Sequence, residues 1–498
     1  MLRKNICILS VMGMLSMSTY AQNNARAQYE QFKKQAQDEY AEFRKKCNAE
    51  YAEFLKKAWE SYEAGPIIPK PKDEVVPPVV MPEEDLDKPV EPKPVPIDTV
   101  VSPVIEEPEP QPKPIAPIYE KPEPTENYHT FTFFGTEGKV RVPAAKSQQL
   151  ETFGNSTSNN KIGDLWEALS DGDYDNLMRD CLEMRIRHGL CDWAYLMMIR
   201  ELSESYCGGR NNASVVFMSW IFCQTGYQMR LAVTSNKLYL LFGSKHAIYD
   251  MNYYNIDGTF FYPLLHDDEA NINNIQICGA SFPEEQPLSL FLPNAQVFAD
   301  VYGNSRTIVS ERYPDTRATV KVNQNLMKFY STYPTSVIGE NFVSRWAMYA
   351  NTPMAKNIKE QLYPQLNAVV NGKSQLDAVN ILLNWVQTGF VYEYDDVVWG
   401  DDRAFFAEES LNYPYCDCED RSILFTRLVR DLLGLKCILI YYPGHLACAV
   451  NFTNDVNGDY ILLSGNKYII TDPTYIGAPV GRTMPNMDNT TATVILLE

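Results

Sequence analysis

Tyr413-Pro414-Tyr415-Cys416-Asp417-Cys418-Glu419-Asp420-Arg421-Ser422 opens the stretch that decides the fold, and Pro443-Gly444-His445-Leu446-Ala447 closes it. After Ser422 the apolar residues Ile423, Leu424, Leu428, Val429, Leu432 and Leu433 recur with helical periodicity. Pro414 breaks the chain upstream, and Asp417 is a suitable N-cap. Cys418 therefore falls in the first turn of a buried helix, where the helix dipole and free N–H groups favour thiolate over thiol. A nucleophilic thiolate needs a base, and the base needs an acceptor to orient it. His445 is the only histidine after His266, and it begins a predicted strand, Leu446 to Phe452. Asp472 ends another, Tyr468-Ile469-Ile470-Thr471. Adjacent antiparallel strands would set His445 beside Asp472 over the helix start.

Three short motifs carry a resemblance: Asp417-Cys418-Glu419-Asp420-Arg421-Ser422, Gly444-His445 and Thr471-Asp472-Pro473-Thr474-Tyr475. In order and spacing they resemble the transglutaminase-like superfamily, over residues 375–480 or so. That family includes transglutaminases, peptide N-glycanases and bacterial cysteine peptidases. The resemblance implies an α+β, papain-like domain in which Cys418 is nucleophile, His445 general base and acid, and Asp472 the orienter of the histidine. It also implies an oxyanion donor upstream of the cysteine, for which Gln387 or Trp385 is available. The glycine usual before the cysteine motif is replaced by Tyr415-Cys416-Asp417. Cys416 is a rival nucleophile, but it precedes the predicted helix and lies out of motif register.

Outward from this stretch, the 498 residues divide into five segments. Residues 1–21 read as a secretory signal: Arg3 and Lys4, an apolar run from Ile6 to Met17, and Thr19-Tyr20-Ala21 as the cleavage site. The apolar run is too short to span a bilayer, so the mature chain is expected to be exported, in the periplasm or outside the cell, without a transmembrane segment. Residues 22–64 carry an eleven-residue repeat, with Tyr29, Tyr40, Tyr51 and Tyr62 in one register and Phe32, Phe43 and Phe54 in another. Eleven residues make three helical turns, so one helix with an aromatic stripe is expected, self-associating as a coiled coil through residues 26–64. Residues 65–127 hold more than half of the 32 prolines and read as an extended, disordered spacer.

Globular sequence resumes with a lobe at residues 128–295, followed by the domain of residues 296–498 that carries the cysteine motif. The segment from Arg210 aligns without gaps on that from Cys418: Asn212 meets Asp420, Ser214 meets Ser422, Phe217 meets Phe425 and Gly226 meets Gly434. Lys245, Asp250 and Tyr253 then fall on Lys467, Asp472 and Tyr475, and the histidine position lands at Asn236 or Lys237. The first lobe is thus expected to be a degenerate copy that keeps the aspartate and lacks nucleophile and base. Cys207 and His246 read as structural.

A net charge of −19 argues against nucleic acid and anionic membranes as partners. The 11 cysteines show no CxxC pair, and with no HExxH and no phosphate-binding glycine loop, neither a metal nor a cofactor is expected. The expected activity is hydrolysis of amide bonds in a protein or peptide substrate through a thioester. The alternatives are a catalytically inactive, envelope-tethered scaffold, or protein-glutamine acyl transfer.

Overall fold

The computed structural model describes residues 4–497 except 73, 74, 87, 89, 103–110, 122–125, 144–146, 267, 268, 338–340, 401, 488 and 489, with side chains from residue 28 on except at 126 and 147. The fold is mixed α+β. The periodic run after Ser422 forms the helix Cys418–Leu433, capped by Asp417 and ended by Gly434 in the left-handed conformation that glycine adopts without strain. It leads into the hairpin of strands Lys436–Tyr442 and His445–Asn451, paired from Lys436↔Asn451 to Tyr442↔His445. A six-stranded sheet grows around that hairpin, in the order Ile97–Val101, Ala492–Leu496, Lys436–Tyr442, His445–Asn451, Asn466–Thr471, Tyr460–Leu463.

The first lobe repeats this plan. The helix Asn212–Gln224 precedes the hairpin Met229–Thr234 and Lys237–Ser244, and its six-stranded sheet runs Glu60–Glu63, Asn274–Ile277, Met229–Thr234, Lys237–Ser244, Thr259–Pro263, Tyr254–Ile256. The strands correspond one for one, and Gly226 and Gly434 both take positive φ after their helices. One difference lies at the rim, where Glu60–Glu63 pairs antiparallel and Ile97–Val101 parallel. The boundary at 295/296 separates two sheets but not two cores: Leu290, Phe298, Phe329 and Phe406 belong to one continuous apolar cluster.

Register corrects the sequence alignment of the two copies. Thr234↔Lys237 closes the first hairpin as Tyr442↔His445 closes the second, so Lys237 stands where His445 stands. Three residues on, Leu264 N–H bonds Leu240 O as Thr471 pairs with Cys448. The counterpart of Asp472 is therefore Leu265. Asp250 lies instead in a turn after the two-residue strand Ala247–Ile248, where its N–H bonds Ile68 O at 3.0 Å. The first lobe thus lacks all three triad members. Arg210 precedes its helix by two residues and pairs with Glu269. These groups line a cavity of about 850 Å³ that also touches Lys237, the residue equivalent in register to His445.

The repeat helix runs Lys4–Leu55, ending ten residues before Gly65. Residues Glu60–Glu63 find a ready-made sheet edge on Asn274–Ile277, and backbone pairing there displaces the last expected helical turns. Its C-terminal half docks on the first lobe through Arg44, Asn48, Tyr51, Ala52 and Leu55, spaced as one helical face. The Arg44 guanidinium holds the Asp175 carboxylate at 2.9 and 2.8 Å, and Asn48 bonds Gln224 and Trp166 at 2.9 Å each. Tyr29, Phe32, Tyr40 and Phe43 of the aromatic stripe remain exposed.

The proline-rich segment is not a free spacer where it is described. Val79–Val80 pairs with Tyr475–Ile476, Ile97–Val101 completes the second sheet, and Val95 and Val101 are buried. A chain too proline-rich to make its own core can still lend extended backbone to an existing edge, because its short runs between prolines keep their N–H groups.

Candidate active site

Five hydrogen bonds fix the start of the cysteine helix. The Asp420 carboxylate accepts the backbone N–H of Asp417 at 3.3 Å and of Phe405 at 2.8 Å. Arg421, 1% exposed, donates to Gln387 O and Phe390 O at 2.9 Å each. This ties the cysteine helix to the end of the helix Gln375–Thr388. Ser422 Oγ donates to Leu446 O at 2.9 Å, pinning the helix to the strand that His445 begins. Cys418 is the first helical residue, as the sequence requires, and its own N–H and that of Glu419 have no intrahelical acceptor.

His445 Nε2 lies 2.9 Å from Asp472 Oδ2, both side chains being almost wholly buried. The other aspartate oxygen, Oδ1, accepts the N–H groups of Thr474 at 2.8 Å and Tyr475 at 3.2 Å. When Nε2 donates to this carboxylate, Nδ1 is the ring nitrogen with the free lone pair. Among the described residues, Nδ1 is buried without a hydrogen-bond partner. His445 and Cys418 line one cleft of about 170 Å³. Cys416 is buried one residue before the N-cap, and burial pushes its thiol up to about 11.

The two side chains read as oxyanion donors do other work. Gln387 Nε2 donates to the carbonyls of Asp472, Tyr475 and Ala478 at 3.0, 2.8 and 3.0 Å, and its Oε1 accepts Gly477 N–H at 3.2 Å. It braces the loop that carries Asp472. Trp385 is fully buried and donates its indole N–H to Ile308 O at 3.2 Å. Their place in the chain suggested the role, but a buried amide surrounded by loop carbonyls is used up by them. The first N–H groups of the cysteine helix, which have no acceptor within the helix, face no such competition from its own backbone.

The electrostatics also depart from the sequence reading. Burial, then the Glu419 and Asp417 carboxylates, hold the Cys418 thiol well above its ordinary pKa, against the opposing pull of the Leu446 N–H. The thiol donates to Glu419 Oε2 at 3.1 Å. A helix dipole contributes only partial charge, and burial together with the adjacent acidic side chains outweighs it. Burial, with Glu419 next, pushes the Asp395 carboxyl up to about 8, and Asp417 and Asp420 are likewise raised well above the carboxylate range, chiefly by burial. Asp395, Asp417 and Asp420 bring one oxygen each within 4.8 Å of one another, as do Asp395, Asp402 and Glu419, so these are the residues that could hold a cation. No sequence spacing announces the group, because Asp395 opens the short helix Asp395–Val398 and Asp402 follows in the loop after it, both well before the cysteine helix.

A thiol held up by carboxylates reacts faster as pH rises, because only the thiolate attacks. Glu419→Gln removes the nearest negative charge and offers an amide donor in its place. Alkylation of Cys418 at pH 7 is expected to speed up by about tenfold, the effect of ~1.4 kcal/mol, with the pH profile moved to lower pH. Mass-spectrometric rates across pH check this, and an unmoved profile would refute the assignment of Glu419.

No family model, curated protein or solved structure matches the chain. Among the described residues, no helix is long and apolar enough to cross a membrane, and the ten described cysteines form no disulfide.

Proposed function

We propose that this chain is an exported cysteine hydrolase of transglutaminase-like type that cleaves amide bonds in proteins or peptides. The observation that carries the reading is the buried His445–Asp472 pair, which leaves His445 Nδ1 unpartnered in a cleft shared with Cys418. Nδ1 takes the thiol proton as Sγ attacks the substrate carbonyl, and the N–H groups of Cys418 and Glu419 receive the developing oxyanion. His445 then protonates the leaving amine as the C–N bond breaks and a thioester forms. Water, deprotonated by His445, hydrolyses the thioester and returns the thiol. The wide availability of water outside the cell favours hydrolysis over transfer to an amine. The matched strand order of the two lobes supports the reading of residues 128–295 as an inactive copy that serves the active one.

A second reading, a scaffold with a vestigial triad, is favoured by the bond from Cys418 to Glu419 rather than to histidine. Prolonged incubation with peptides bearing a C-terminal thiol-reactive ketone separates the two. A covalent adduct at Cys418, absent in His445→Ala, is expected of the enzyme. No adduct in either protein would leave the scaffold. Added primary amine that appears in the product would redirect the assignment to acyl transfer.

A further inference from the structure

The cleft of Cys418 is not closed by the catalytic lobe alone. Pro71, Lys72 and Val75 of the proline-rich segment share its lining with Cys418 and His445. Upstream, Ile68 O accepts the Asp250 N–H at 3.0 Å, and the Lys70 ammonium donates to Asp402 O at 2.5 Å. Downstream, Val76 N–H donates to Gly444 O at 2.9 Å, on the residue just before His445. Val79 and Val80 then pair in parallel with Tyr475 and Ile476, three residues past Asp472, and Met81 is buried with its N–H on Ile476 O at 2.9 Å. The described residues of this strap therefore pass from the first lobe to the cleft, and from the cleft to the aspartate loop. Cys418 and His445 are 4% and 1% exposed beneath it.

We propose that residues 68–72 and 75–81 occupy the path of the substrate, so that the cleft takes an extended peptide bearing a basic residue and the strap holds the enzyme closed until displaced. The inference rests on the cysteine-hydrolase reading. Three features carry it. The strap is held by backbone hydrogen bonds to the segments flanking His445 and Asp472, the mode by which a strand of any sequence is added to a folded edge. Pro69, Pro71, Pro77 and Pro78 fix φ near the extended range and make such a strand at low entropic cost. Finally, the exposed Lys72 shares the lining of the cleft with Asp395, Asp402 and Glu419, a side-chain complement that an incoming lysine or arginine would also meet.

The test is the rate at which iodoacetamide modifies Cys418 in the full chain, read by mass spectrometry, with and without Val76→Pro. Proline removes the N–H given to Gly444 and suits the extended backbone. The released variant is expected to react more than tenfold faster than the parent. A synthetic peptide of residues 68–81 added at millimolar concentration should slow it again, and the same peptide carrying Lys72→Glu should not. Val75→Gly, which removes an exposed side chain from the cleft wall, gives a smaller acceleration and serves if Val76→Pro fails to fold. Unchanged rates in folded variants overturn the strap, and equal effects of the two peptides overturn the basic subsite. Repeating the series in His445→Ala separates the two proposals. An acceleration that persists while the histidine makes no difference keeps the strap and sinks the triad. A His445-dependent rate with no strap effect does the reverse.

Discussion

Asp472→Asn is expected to lower kcat/KM for the best peptide of a fluorogenic library by about 10⁴-fold, with little loss of stability. The reason lies in which oxygen does what. Asp472 Oδ1 is held by the N–H groups of Thr474 and Tyr475, so an asparagine keeps its carbonyl there and turns its NH₂ toward His445 Nε2. An amide donor on Nε2 forces the imidazole proton onto Nδ1 and abolishes the base. The fold keeps its contacts, and the tautomer is wrong. Asp472→Ala also removes the orientation of the ring and is expected to lose as much activity with an added loss of stability. Steady-state kinetics beside urea denaturation decide it: an asparagine variant within tenfold of the parent would remove Asp472 from the mechanism.

Gln387→Ala is expected to destabilise the protein by about 3 kcal/mol, because three buried carbonyls lose their donor and one N–H its acceptor. Activity falls with it, through displacement of the loop that presents Asp472. Gln387→Glu keeps the size and the acceptor but cannot donate in its ionised form, and should be no better. An oxyanion donor would behave differently, with kcat reduced and the urea midpoint unchanged. That outcome would restore the role its sequence position suggested.

Sequence and structure agree where the information is local. The cap at Asp417, the period from Ile423 to Leu433, the stop at Gly434 and the alternation around His445 are properties of short stretches, and they place a cysteine at a helix start and a histidine at a strand start. The shared plan of the two lobes was legible for the same reason, up to the first hairpin, since helix and hairpin follow without a gap in both. Beyond the hairpin the copies differ in loop content. Asp250 then offered a false match that only strand register, through Leu264 on Leu240, could correct.

What the sequence by itself determined is the set of chemical groups and the elements that carry them: thiol, imidazole and carboxylate, in order, on a helix and two strands. Tertiary structure decided their electrostatic setting, because burial is the largest cause of the raised thiol and because the fold brings Asp395 and Asp402 to Glu419, beside the cysteine. It also decided the fate of the prolines. A segment with no core of its own has no structure to encode locally, and it becomes ordered here because two folded lobes present edges and carbonyls that its extended backbone can satisfy.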